Sequence, residues 1–237
     1  MKNIVVLFKR VVRVITRRGV FWGVSRSVSY IFKKNHGESI DYQKGKEFDQ
    51  KYSVDTAVII DPSQYKIKSK NWIYASRYEG IPPDKYELIL SELEIKYSDF
   101  TFIDIGAGKG RAMLIASKFP FKKIIGVEFC KELVEIAESN IKIFPKEEIK
   151  CVNISIHCLD AVEFEFPNTP LFLFLFNPFE IKVMEKFIHN LEMSYEQSPR
   201  RIIVIYISGR CEFLWDKVSF LNKKLLYSSV RIYDTLK

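Results

Sequence analysis

The sequence predicts an α/β fold, a parallel sheet with helices on both faces, and three observations carry that prediction. From residue 100 onward strand-like and helix-like segments alternate, the pattern of parallel strands joined by crossover helices. The strand segments are near-continuous apolar runs, such as Leu171–Phe176 and 202–205, as burial on both faces demands. Residues 101–110, Thr-Phe-Ile-Asp-Ile-Gly-Ala-Gly-Lys-Gly, join a β-favouring run to a helical pattern through three alternate glycines, Gly106, Gly108 and Gly110. A strand, a tight turn and a helix make a crevice at the carboxyl end of the strand, where such sheets bind ligands.

With 237 residues the chain is long enough for one domain and a small appendage, and its 47% hydrophobic content can fill a substantial core. The net charge of +8 is local. Residues 1–34 carry nine lysines and arginines and no acid, whereas the remainder has 28 basic and 29 acidic side chains. The body is therefore near neutral, which makes nucleic acid an unlikely partner on charge alone. Cys130, Cys151, Cys158 and Cys211 form no C-x-x-C pair, and no His cluster accompanies them. No metal site and no disulfide framework are expected, and a reducing, cytoplasmic compartment is. No apolar run approaches the ~20 residues of a membrane span.

Residues 1–47 read as a basic, helical extension with a linker, and 48–237 as the globular domain. Over 4–17, Ile4, Leu7, Phe8, Val11, Val14 and Ile15 fall on one side of a helix and Lys9, Arg10, Arg13 and Arg17 on the other. Such a face suits an anionic membrane surface, a partner or the chain's own domain, so residues 1–34 are a candidate for peripheral membrane contact. An acid-free, Arg-rich start also has the composition of a transit peptide. Residues 35–47 are polar and broken by glycine, as a linker would be. An aromatic and acidic segment, 48–56, follows. Asp84 is placed to cap a helix whose apolar positions are Leu88, Ile89 and Leu93.

Beyond the glycine loop the expected order is helix 110–118, strand 123–128, helix 131–143, strand 152–158, strand 171–176, helix 181–193, strand 201–207, helix 211–218, and one or two strands within 224–235. His157 falls inside a strand and reads as structural.

Three chemistries compete for the loop. A dinucleotide site wants G-x-G-x-x-G, but the third glycine here comes one residue early and Arg111 stands where it should be. A phosphate loop wants a hydroxyl after its lysine, and Lys109 is followed by Gly110. The third is D-x-G-x-G-x-G, which starts at Asp104. The ends of the next strands carry further chemistry. Glu128 closes the second strand, where a carboxylate can accept from both hydroxyls of a ribose, and Phe129 beside it can pack on a base. Asp160-Ala161 follows the third, with a carboxylate and a close backbone for an exocyclic amine. Asn177-Pro178-Phe179 ends the fourth: an amide acceptor, a proline that can aim its neighbour's carbonyl rigidly, and an aromatic that offers a flat face to a planar substrate or a wall around a cationic centre.

These features, in this order, resemble those of the class I S-adenosylmethionine (SAM) methyltransferases, over roughly residues 48–207. The resemblance implies a Rossmann-like seven-stranded sheet with an antiparallel last strand. It also implies SAM as the cofactor, bound by Asp104, Gly106, Ala107, Gly108, Gly110, Glu128, Phe129, Asp160 and Ala161. Tyr78-Glu79-Gly80-Ile81-Pro82-Pro83 is similar to the cofactor-covering loop of the disruptor-of-telomeric-silencing type lysine methyltransferases, which implies that Tyr78 and Glu79 touch the methionine end. The whole is similar to a bacterial group of small class I methyltransferases. Amino-adenine and glutamine methyltransferases carry Asn/Asp-Pro-Pro-Tyr/Phe where this chain has Asn-Pro-Phe-Glu.

The expected function is methyl transfer from SAM to an acceptor, protein or small molecule, through a nitrogen held at Asn177, Pro178 and Phe179. Two alternatives stay open: a SAM-binding scaffold tethered by the basic arm, and an NAD-dependent oxidoreductase.

Overall fold

The computed structural model describes residues 40–60, 71, 74, 76, 78–207, 209–227 and 230–236. The helix at 4–17, its membrane contact and the aromatic continuation at 19–34 lie outside the described residues.

Seven strands form one sheet: β1 (Thr101–Ile105), β2 (Lys123–Glu128), β3 (Ile154–Cys158), β4 (Leu171–Phe176), β5 (Ile202–Ile207), β6 (Asn222–Tyr227) and β7 (Val230–Asp234). Their order is β3-β2-β1-β4-β5-β7-β6. The first five are parallel, β7 runs antiparallel to β5, and β6 pairs antiparallel with β7. The order in which strands are added therefore reverses between β1 and β4, and this is where ligands enter doubly wound sheets. Register aligns the strand ends along that edge: Ile105 faces Val127 and Leu175, and Glu128 faces Cys158.

The helices are α1 (Ile40–Tyr52), α2 (Pro83–Ser91), α3 (Arg111–Ser117), α4 (Lys131–Ile143), α5 (Ile181–Gln197) and α6 (Glu212–Trp215). Strand residues alternate between two cores. Phe102, Phe172, Phe174 and Ile203 point to the side packed by α1, α2 and α3. Ile103, Leu173, Leu175 and Val204 point to the side packed by α5 and α6, with Phe187 and Trp215 at its centre. Both faces of the central strands are thus removed from water, which is why they read as unbroken apolar runs.

Two local expectations change. The segment expected to be a linker enters a helix at Ile40, and that helix runs across the expected boundary at residue 48. Its composition is polar, but Gly45, Phe48 and Tyr52 fall on one face and are buried. Phe48 and Tyr52 pack on each other and on Phe144, with ring centroids 4.8–6.2 Å apart. Tertiary burial of that single face overrides the polar reading. Asp84 does not cap α2. Pro83 takes the first helical position and Pro82 the cap, so Asp84 sits in the first turn and accepts only from Lys85 N. His157 is exposed on β3, at the sheet edge.

The Asp49 side chain fastens the end of α1 to the body. It accepts from Thr56 N and Ala57 N at 2.7 and 2.6 Å and from the Thr56 hydroxyl. Asp49→Ala should lower unfolding free energy in urea by about 2–3 kcal/mol, the scale for lost bonds to a charged acceptor. An unchanged midpoint would detach α1 from the cooperative unit.

Candidate functional site

The glycine loop turns through the left-handed region three times, at Gly106 (φ 77°), Gly108 (φ 55°) and Gly110 (φ 83°). Two of these positions also need the absence of a side chain. A Cβ on Gly106 would stand 2.7 Å from Pro178 Cβ, and one on Gly108 would stand 2.2 Å from the Tyr78 ring. The glycines thus let two walls of one cleft close onto the loop, besides leaving Gly106 itself exposed.

Backbone bonds hold the turn. Gly106 N and Ala107 N both donate to Val127 O, at 2.9 and 3.1 Å. Glu128 accepts Gly108 N on Oε2 and Cys130 N on Oε1, each at 2.9 Å. Each carboxylate oxygen keeps a free lone pair, so Glu128 can still accept from a ligand. Asp104 is 3% exposed and makes no hydrogen bond to any described residue. Burial pushes the Asp104 carboxyl up to about 8, with the Glu128 charge adding to it. Burial likewise raises Glu128 to about 7, against the lowering effect of the backbone donors.

The cleft is open to solvent. It gathers most of the side chains singled out in the sequence: Tyr78, Glu79, Asp104, Gly106, Ala107, Glu128, Phe129, Asp160, Ala161, Asn177, Pro178 and Phe179 line it. Gly108 and Gly110 do not line it. Gly108 N is spent on Glu128, and Gly110 closes the turn onto Ala107 O and precedes α3. Asp160 serves two ends. It accepts Val162 N at 3.2 Å, starting a short 3-10 turn, and Asn71 Nδ2 at 2.9 Å.

The end of β4 differs from its expected form. Asn177 adopts φ 43°, a left-handed kink, and its half-buried side chain has no partner among the described residues. Pro178 O already accepts Ser76 N at 2.9 Å, and Glu180 N donates to Tyr74 O at 2.9 Å. These two bonds stitch the covering segment to the strand end. Phe179 is 8% exposed and packs edge-on against Phe187. The open stacking face expected of it is turned into the core instead, because the next residues start α5.

The sequence reading missed Arg111, Asn71 and Ser76, which also line the cleft. Arg111 was visible only as a residue that spoiled a dinucleotide motif. Asn71 and Ser76 carry no local signal, since their place is set by pairing with distant strand ends. Among the described residues, no cluster of His, Cys, Asp or Glu could hold a metal, and no helix is long and apolar enough to cross a membrane.

A family model described as a putative methyltransferase matches residues 98–171, from the approach to β1 to the first residue of β4. No curated protein matches the chain in sequence. Among solved structures, a predicted N6-adenine-specific DNA methylase from Listeria monocytogenes is 14% identical, covering 65% of this chain and 51% of its own, with TM-score 0.49. The chain thus spans about half the length of that structure. An RNA methyltransferase from Salinibacter ruber, in complex with S-adenosyl-L-homocysteine, is 18% identical over 65% of this chain and 91% of its own, TM-score 0.46. The methyltransferase domain of a bacterial CtHen1 is 16% identical over 63% and 96%, TM-score 0.49. Likenesses this distant carry no argument about the acceptor.

The seven-stranded order, the glycine loop with its carboxylates and the family match over residues 98–171 make the chain similar to the SAM-dependent methyltransferases. The finer similarity to the disruptor-type lysine enzymes is not confirmed. The oxidoreductase and scaffold alternatives gain no support, and neither does the expectation that nucleic acid is an unlikely acceptor.

The buried acids make the site pH-dependent. Both folded values lie above the unfolded ones, so the native state binds more protons between about pH 4 and pH 8. Their contribution to stability is full below the unfolded values and is lost as pH rises through the folded ones. The ligand-free melting temperature should fall from about pH 4 to about pH 8, less steeply in Asp104→Asn. The added stabilisation by SAM should grow over the same range, because ionised carboxylates accept its donors and attract its positive charge. A SAM-induced shift that shrinks with rising pH would contradict this.

Proposed function

We propose that this enzyme methylates a nitrogen nucleophile held at the end of β4. The observation that carries the reading is one juxtaposition. The unpartnered Asn177 amide and the unpartnered Asp104 carboxylate line the same cleft, which therefore has an acceptor end and a cofactor end.

The residues present fit SAM. Glu128 has lone pairs left for ribose hydroxyls, and Phe129 is half-buried beside it, where it can cover a base. Asp160 and the Ala161 backbone stand at the next strand end for an adenine amine. Asp104 supplies the negative charge that a cationic methionine group needs, and Tyr78 and Glu79 border the same region. The cofactor, when bound, supplies an electrophilic methyl on a sulfonium.

The protein's own contribution is positioning. Asn177 Oδ1 accepts an N–H of the nucleophile and so turns its lone pair toward the methyl. Pro178, locked by its ring and by Ser76 N, keeps that amide from drifting. Phe179 is a wall behind the amide rather than a stacking platform. An amine can lose its proton to water before it attacks, so the acceptor end requires no dedicated base.

Two measurements test the reading. SAM and its demethylated product should each raise the melting temperature while NAD leaves it unchanged; the absence of any SAM shift in folded protein would end it. Asn177→Ala should keep SAM affinity within about two-fold and lose roughly a hundred-fold or more in methyl transfer, followed as labelled methyl entering lysate fractions. Intact turnover would remove Asn177 from the acceptor site.

A further inference from the structure

Arg111 is a charged side chain of the cleft that the reading above leaves without a role. It opens α3, and a helix N-terminus disfavours a cation. It is 3% exposed, and burial lowers its pKa. No described carboxylate pairs with it directly. Its bonds go to neutral groups: Nε donates to Thr56 Oγ1 at 2.7 Å and Nη1 to Ile81 O at 3.2 Å, while Nη2 is buried without a partner. A guanidinium placed against both the dipole and the solvent needs a compensating purpose.

The neighbours show what it joins. A Cβ on Gly45 of α1 would stand 2.7 Å from Nη2, and a Cβ on Gly80 of the covering segment would stand 2.5 Å from Nη1. One planar group is therefore in close contact with α1, the segment after it and the cover of the cleft. Thr56, fully buried, passes the contact on. Its hydroxyl accepts from Arg111 and donates to Asp49, and its carbonyl accepts the Tyr78 hydroxyl at 2.7 Å. The Tyr78 ring then lies on Gly108, three residues before Arg111. The contacts form a closed circuit from the glycine loop through Arg111, Thr56 and Tyr78 back to the loop. Lys109 strengthens it from the other side of Gly110, bonding Asp55 Oδ1 at 2.6 Å.

We propose that Arg111 is a positioning residue of the cofactor site, holding Thr56 and, through it, the Tyr78 ring over the glycine loop. The proposal rests on the SAM reading of the cleft. It makes residues 40–57 a working part of the cofactor site rather than an extension beside it. The planar fork matters more than the charge, because two partners lie on different segments.

The test is a double-mutant cycle on SAM affinity, read by calorimetry with melting curves to confirm folding. Wild-type protein should bind SAM. Arg111→Met should weaken binding about ten-fold or more, Tyr78→Phe should weaken it less, and the double variant should be no weaker than Arg111→Met alone. Penalties that multiply would mean that Arg111 meets the cofactor independently, and would overturn the proposal, as would unchanged affinity in Arg111→Met. If Arg111→Met does not fold, Thr56→Val replaces it, with Arg111 left in place and the same outcomes deciding. Wild-type protein that binds no SAM would overturn the cofactor reading, and this proposal with it, before any substitution is compared.

Discussion

The structure depends on the carboxylate of Glu128 being held at the end of β2 by two backbone amides, Gly108 N on one oxygen and Cys130 N on the other. That clamp fixes a turn that has little else to fix it. Three left-handed residues within five positions give no regular hydrogen-bond ladder, so the loop borrows its bonds from the neighbouring strand: Val127 O for two amides and Glu128 for a third. The acid that closes β2 therefore also shapes the loop that lies beside it. Removing the side chain would not subtract one ligand contact; it would release the turn.

Burial sets the electrostatics of the cleft. Asp104 and Glu128 sit side by side at the ends of adjacent strands with almost no exposure, and no described cation neutralises Asp104. Desolvation raises both, and the Glu128 charge raises Asp104 further. A ligand that carries positive charge and hydroxyl donors would relieve this cost. The same arithmetic explains Lys109 and Arg111. Neither faces the acids directly. Both turn outward from the loop to Asp55 and Thr56, so the basic residues build the wall while the acids remain for the ligand.

Much of the frame was legible because it follows from local pattern. Strands β2 and β4 and helix α4 appear at the expected limits, since apolar runs and a 3.6-residue period mark them. Asp104, Glu128, Asp160 and Asn177 could be picked out because each lies within two residues of a strand end, and parallel strands bring such ends to one edge. What was not legible came from contacts distant in the chain. The helix at Ile40–Tyr52 looks polar until Phe48 and Tyr52 meet Phe144. Phe179 looks like an open face until α5 turns it onto Phe187. Pro178 O looks free until Ser76 arrives, a hundred residues earlier in the chain.

The sequence by itself determined the α/β class, the order of elements from β1 to β5, and which strand ends carry acids and the amide, because periodicity and glycine spacing are local quantities. Only the tertiary structure decided that Gly106 and Gly108 lack side chains to admit Pro178 and Tyr78, that Arg111 bridges three segments, and that Pro178 O receives the Ser76 amide. The reason is that each of these is a meeting of residues from distant parts of the chain, and no spacing within a single segment records what will be packed against it.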